Sequence, residues 1–380
     1  MQIGFNKPYF TGKETDYIKQ AVRNMHISGD GIFTKKCHQF FENKYHFRKC
    51  LLTTSCTDAL EMAAILLDTK EGDEIIMPAF TFVSTANAFV LRGAKILFAD
   101  SQAEHPNICT ESISRLISPK TKALVVVHYA GVACDMEQIA QLCKENNVYL
   151  IEDAAQAVDS YYQRRPLGSF GDLAAFSFHE TKNVIAGEGG MLVINNEKFI
   201  QRAEIIREKG TNRSAFFRGE VDKYSWVDIG SSFLPSEITA AFLYAQLESL
   251  EVIQAKRKKN WTLYSQILQE GENKGFFQLP KIPSFAQHNA HLFYLTCKSL
   301  EERSLLIKYL KDRGIQAVFH YISLHQSEFF KKYQPQNVFH LPNSDKFTDT
   351  LLRLPLFFEL NETQQQYICE TIMSFYGENC

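Results

Sequence analysis

The stretch Ala174-Ala175-Phe176-Ser177-Phe178-His179-Glu180-Thr181-Lys182-Asn183 leads through Val184-Ile185-Ala186 into Gly187-Glu188-Gly189-Gly190. It reads as an apolar strand that releases one lysine, Lys182, into a loop, with glycines behind it that let the backbone turn closely. Upstream, Val148-Tyr149-Leu150-Ile151-Glu152-Asp153 is a second apolar run ending in acid, continued by Ala154-Ala155-Gln156. The same alternation extends outward. Leu51 to Thr53 precedes a helix over 57–67, and Glu74 to Met77 precedes one over 84–92. Lys95 to Asp100 and Ala123 to Val127 are strands, and a helix over 135–146 leads into the strand ending at Asp153. Near-continuous apolar strands separated by helices predict an α/β fold whose mostly parallel sheet is covered on both faces.

The flanks read differently. Thr11 and Glu14 form a capping-box pattern before the stripe Tyr17, Ile18, Ala21, Val22, Met25, and a second helix is expected over 34–46 with Cys37, Phe40, Phe41 and Tyr45 on one face. After Met191 to Ile194 and a charged helix through Arg207, the segment 210–230 is polar and aromatic without clear periodicity. A loop this long inside a compact domain is usually functional or an interface. Helices from Ser236 to about Glu270, strands at 292–297 and 316–319 and a helix over 301–313 complete the pattern. A chain of 380 residues fits a large domain, residues 1–250, and a smaller C-terminal α/β domain, residues 251–380, with the N-terminal segment free to pack on the latter.

A hydrophobic content of 45% fills a sizeable core and argues against disorder, while a net charge of −2 without dense basic runs leaves no footprint for nucleic acid. Nine cysteines, an odd number with no CxxC pair, match neither a disulfide framework nor a zinc ligand set, so no metal is expected. No apolar signal region or bilayer-length stretch is present, and the expectation is a soluble protein of a reducing cytoplasm with no membrane partner.

Each candidate for chemistry has a plainer alternative. Lys182 alone is a solvated loop lysine, but one desolvated beside an apolar surface has a lowered pKa and becomes nucleophilic. Asp153 could simply cap the next helix, yet strand carboxyl ends are where open α/β sheets bind ligands, and Gln156 lies at the same edge. Ser55, Cys56 and Thr57, between a strand and a helix, are ordinary cap residues that also suit a phosphate at a helix N-terminus, with Ser177 adding a hydroxyl. Phe82 is either core or a flat ring free to stack on a ligand. His179-Glu180 is no HExxH, because position 183 is Asn, and no GxGxxG, GxSxG or Walker loop occurs. A lysine and an aspartate at strand ends suit pyridoxal 5′-phosphate: the lysine forms the Schiff base and the carboxylate keeps the pyridine nitrogen protonated.

Together, Ser55-Cys56-Thr57, Phe82, Glu152-Asp153-Ala154-Ala155-Gln156 and Ser177 to Lys182 with the following Gly-Glu-Gly-Gly resemble the DegT/DnrJ/StrS sugar-nucleotide aminotransferases, from Phe5 to Leu356. The resemblance implies a pyridoxal-phosphate transferase of fold type I, the aspartate-aminotransferase-like fold. It implies Lys182 and Asp153 as the catalytic pair, Gln156 near the ring oxygen, Phe82 stacked on the ring and Cys56, Thr57 and Ser177 around the phosphate. His179 would lie near sugar or cofactor. The family completes its phosphate site from a second subunit, through a stretch that here reads Gly230-Ser231-Ser232-Phe233-Leu234, which places Ser232 there and implies a homodimer. Narrower details are Gly29-Asp30-Gly31, His179 to Asn183, Phe217-Arg218-Gly219 with Asp222-Lys223-Tyr224, and His320-Tyr321 with Leu324-His325. They are similar to family members that move an amino group from glutamate to C4 of a TDP-4-keto-6-deoxy-hexose, making TDP-4-amino-4,6-dideoxy-D-galactose for enterobacterial common antigen. Gly29, His179, Arg218, His320 and Tyr321 become candidate substrate contacts. Amination of another nucleotide sugar, a 3-dehydratase and a non-catalytic regulator are the rivals. The resembling dehydratases carry His where this chain has Lys182, and the retained Lys182–Asp153 pair speaks against a regulator.

Overall fold

The computed structural model describes residues 1–378. Seven strands form the central sheet: β1 Lys49–Thr53, β2 Glu74–Pro78, β3 Lys95–Ala99, β4 Thr121–Val127, β5 Tyr149–Asp153, β6 Leu173–Ser177 and β7 Gly190–Ile194. Their order is β1-β7-β6-β5-β4-β2-β3. Pairing is parallel from β6 through β5, β4 and β2 to β3, while β7 runs antiparallel to both β6 and β1.

Alternate residues of these strands feed two separate cores. Leu52, Val126, Leu150, Phe176 and Val193 point to one face, against Phe33, Phe41 and Leu243 of covering helices. Leu51, Val125, Ile151, Ala175 and Leu192 point to the other, against Leu60, Met62 and Phe89. That two-sided burial is why the strands are apolar at every position. The helix Ile32–Tyr45 starts on a buried carboxylate from another helix: Glu237 accepts from the N–H groups of Gly31 at 3.0 Å, Phe33 at 2.8 Å and Thr34 at 2.9 Å.

A second sheet closes the cavity side. β8 Phe293–Thr296, β9 Val318–Phe319 and β10 Leu351–Leu354 pair antiparallel with β10 in the middle. Ile3, near the N-terminus, forms an isolated parallel bridge with Ile315, just before β9. Among the described residues no helix is long and apolar enough to cross a membrane.

Some expectations shift. The first helix spans Glu14–Arg23, so Met25 lies beyond it, 93% exposed, and Val22 of the expected stripe is also exposed. The aperiodic segment 210–230 contains a short helix, Arg213–Phe217.

Candidate active site

The loop from β6 to β7 is a closed hairpin. Phe178 N–H donates to Gly189 O at 2.8 Å, Ala186 N–H to Phe178 O at 2.7 Å, and Lys182 N–H to His179 O at 2.9 Å. Gly190, opposite both Thr53 and Ser177, has no space for a side chain: a Cβ would lie 2.2 Å from the Ser55 carbonyl carbon and 2.3 Å from Cys56 N. Asn183 ties the loop down from below. Its Nδ2 donates to Gln254 Oε1 at 2.8 Å and to Asn289 O at 2.9 Å, and its Oδ1 meets His291 Nδ1 at 2.9 Å. An amide oxygen only accepts, so His291 carries its proton on Nδ1. Burial, with Lys182, Arg257 and Arg353 nearby, holds His291 well below its ordinary pKa and therefore neutral.

Lys182 and Asp153 open into one cavity of about 810 Å³, which also takes in Ser55, Cys56, Thr57, Gln156 and Ser177. Phe82, His179, His320 and Tyr321 complete the set of expected residues that the fold brings together there. The cavity lies beyond the carboxyl ends of β1, β2, β4, β5 and β6 and is closed by β10 and by residues 318–321.

Asp153 is buried and its pKa is raised by that burial. The rise is opposed by Thr85 Oγ1, donating to Oδ2 at 2.7 Å, by the Ala155 N–H, donating to Oδ1 at 3.2 Å, and by the positive charge of Lys182. Lys182 shows the mirror effect. Burial lowers its pKa, Cys56 and Asp153 pull it up, and Arg353 pushes it down. Burial drives the Cys56 thiol far above its ordinary value, so at neutral pH it is uncharged and Asp153 is the effective counter-charge.

The turn after β1 is an open anion cradle. Ser55 caps the helix Cys56–Leu66 by accepting from Asp58 N at 3.0 Å, which leaves its hydroxyl proton to donate. The N–H groups of Cys56 and Thr57 find no acceptor among the described residues and stand at the positive helix end. Thr57 Oγ1 meets Ser84 Oγ at 2.8 Å, adding a hydroxyl that nothing in the sequence pattern singles out. Gln156 is held at both ends, Oε1 accepting from Ala130 N at 2.7 Å and Nε2 donating to Tyr321 OH at 3.3 Å. His320 Nδ1 meets Tyr129 OH at 3.0 Å. Phe82 is 55% exposed and presents an unstacked ring at the cavity.

Three expected contacts do not line this chain's cavity. Arg218 is held by Glu204 at 2.8 Å and Glu220 at 2.7 Å. Gly29 packs under Leu234 and Pro235, and Ser232 is exposed, bridging Glu208. Conversely, Thr85, His291 and Arg353 belong to the site and were missed. Thr85 could have been suspected from the pair Thr81 and Thr85, one helical turn apart, whose hydroxyls meet at 2.9 Å. Arg353 was visible as a lone charge in the apolar run Leu351 to Leu354. Two shallower grooves of about 970 and 750 Å³ lie at the opposite end of the sheet, around Lys144, Arg165 and Asn195, without converging reactive groups.

An amine and a buried carboxylate, facing one cavity beside a phosphate-sized helix start on this strand order, define a pyridoxal-phosphate enzyme of fold type I. The sequence pattern of the DegT/DnrJ/EryC1/StrS aminotransferase family matches residues 8–373. The chain belongs to that family, and it is a sugar aminotransferase whose cofactor is pyridoxal 5′-phosphate. GDP-perosamine synthase of Escherichia coli O157:H7 is 30% identical to it over 374 residues, 98% of each chain. The aminotransferase from Psychrobacter cryohalolentis superposes with a TM-score of 0.92 at 26% identity, over 98% of both chains. A putative sugar aminotransferase from Streptococcus pneumoniae, Spr1654 in its PLP form, superposes at 0.90 over 100% of this chain and 99% of that one; at 24% identity it speaks for the fold alone.

Proposed function

We propose that this aminotransferase moves an amino group from L-glutamate to C4 of a TDP-4-keto-6-deoxy-hexose, giving TDP-4-amino-4,6-dideoxy-D-galactose. The observation that carries this reading is the convergence of Lys182 and Asp153 with His179, His320 and Tyr321, from the narrower motifs, on one cavity. The bound cofactor supplies an electron sink next to the reacting carbon. Lys182 would anchor it covalently and, once released, would take the proton from the donor's α-carbon in the first half-reaction and deliver a proton to sugar C4 in the second. Asp153 holds the ring nitrogen protonated through its charge. Its burial makes that interaction stronger than it would be in water. Gln156 would face the ring oxygen, Phe82 would cover the ring, and Ser55, Cys56, Thr57 and Ser177, which line the cavity at the helix start, would receive the phosphate.

Gly29, Arg218 and Ser232, outside this chain's own cavity, are assigned to the site of a second subunit in a homodimer. The exposed apolar side chains of Phe217, Tyr224, Trp226 and Val227 support such an interface. The proposed division into domains 1–250 and 251–380 falls one residue inside the helix Leu250–Asn273, just after the helix Glu237–Glu248.

Borohydride reduction of the holoenzyme is expected to leave the pyridoxyl label on the Lys182 peptide. Lys182→Ala is expected to lose turnover while folding and noncovalent cofactor binding persist. A label on another peptide would overturn the assignment. The relative named GDP-perosamine synthase favours a second reading, a GDP-linked 4-keto sugar as acceptor. A panel of TDP- and GDP-linked acceptors, with NMR of the product at C4, separates the two and fixes the stereochemistry.

A further inference from the structure

Arg353 stands on the middle strand of the small sheet, β10, opposite Tyr294 and Val318, and its side chain lines the cavity that holds Lys182. Its Nε is fully buried without an acceptor, and the guanidinium makes no hydrogen bond or ion pair among the described residues. It rests instead on the face of Phe5, 4.6 Å from Cζ to the ring centre. Arg92, half-buried like Arg353, also has an unpaired Nε but lies away from the cavity, whereas the three fully buried arginines each donate to at least one acceptor. Arg257 donates to Ala290 O at 3.1 Å and His291 O at 2.6 Å, Arg303 to Thr348 O at 2.5 Å, and Arg207 to Asp30 and Leu52 O. A buried cation without a partner is costly, and a planar fork of donors aimed into a cavity matches a carboxylate or phosphate in two-point contact.

We propose that Arg353 is the specificity residue for the amino donor, receiving the donor's carboxylate during the first half of the reaction. The inference rests on the aminotransfer reading above. Two anions enter such a site besides the cofactor: the donor's carboxylate and the diphosphate of the sugar nucleotide. The donor's α-carboxylate is bonded to the very carbon whose amine reacts, so its anchor must lie beside Lys182. The diphosphate hangs on C1, across the hexose ring from C4, and lies farther out. Arg353 lies close enough for its charge to act on Lys182, His291 and His320. It also stands on the small-sheet wall, whereas the phosphate cradle at Ser55–Thr57 is built by the central sheet. The nearest groups able to share it are the Tyr129 and Tyr321 phenols, which burial keeps protonated and uncharged.

The test separates the half-reactions in holoenzyme carrying Arg353→Gln or Arg353→Lys. Calorimetry with glutarate, a dicarboxylate that has no amine to transfer, should show affinity falling about 30-fold or more in Arg353→Gln. Arg353→Lys should fall in between, since it keeps the charge and loses the fork. In single-turnover absorbance, the glutamate half-reaction should fall by at least the same factor, while the reverse half-reaction with the amino-sugar nucleotide stays within about threefold. Unchanged glutarate affinity would overturn the proposal. So would a loss confined to the nucleotide-sugar half-reaction, which would give the guanidinium to the diphosphate, or equal losses in both, which would make it structural. If glutarate binding depended on Arg353 while neither substrate turned over, the anion site would stand and the aminotransfer reading would fall.

Discussion

A carboxylate at the base of a cavity serves a protonated ring only while it stays charged, and burial works against that charge at Asp153. Thr85 is the principal correction, a hydroxyl at 2.7 Å that favours the ionised form. Removing it in Thr85→Val leaves Asp153 with a raised pKa. Activity requires the ionised form, so the acid limb of the kcat/KM profile should move to higher pH. A hydrogen bond to a charged group contributes about 1.5–3 kcal/mol, which corresponds to a shift of roughly one to two pH units. Thr85→Ser should restore the profile, and an unchanged acid limb in the valine variant would refute the tuning role. Lys182 and Asp153 were legible in the sequence because ionisable groups at the ends of apolar strands are conspicuous. Thr85 was not, since a threonine opening a helix looks like any cap until its partner, 68 residues away, is known. Arg353 was conspicuous as a charge, but its strand's direction and neighbours decide which wall it faces.

At the scale of elements, the apolar runs announced the strands of the central sheet and their helical spacers. They announced β7 as well, but were silent on its direction. Met191 to Ile194 is apolar on both faces whichever way it runs, so only the hairpin hydrogen bonds over 178–189 show that it returns antiparallel. The helix Arg213–Phe217 was missed because five residues are too few to show a period. The hairpin gives two glycines different jobs, and their substitutions should differ accordingly. Gly190→Ala drives a Cβ into backbone atoms of Ser55 and Cys56, which cannot rotate away. It should cost about 3 kcal/mol in urea unfolding and weaken cofactor binding, because it displaces the helix start. Gly187, at φ +79 with no atom within 4 Å of the place a Cβ would take, should cost only about 1 kcal/mol as alanine. Equal losses in the two variants would show that steric contact at Gly190 is not the constraint.

Across the molecule, Trp226 at 82% exposure and Phe217 at 69% are too large and too apolar to favour water. If they meet a second subunit, Trp226→Glu should halve the mass seen by light scattering on a sizing column. It should also weaken cofactor binding, through loss of the partner's share of the phosphate site. A mass unaffected by the substitution would place the interface elsewhere. The length of the aperiodic segment 210–230 marked it in the sequence as functional or an interface, but without a repeat no pattern could say which side chains it exposes. The cavity itself collects side chains from Phe5 at one extreme to Leu356 at the other, with strand ends and loops from all along the chain between them contributing. A nascent chain can therefore complete much of the central sheet on the ribosome and still possess no working pocket. The pocket closes only once residues as late as Arg353 and Leu356 have been made and have folded back onto the strand ends.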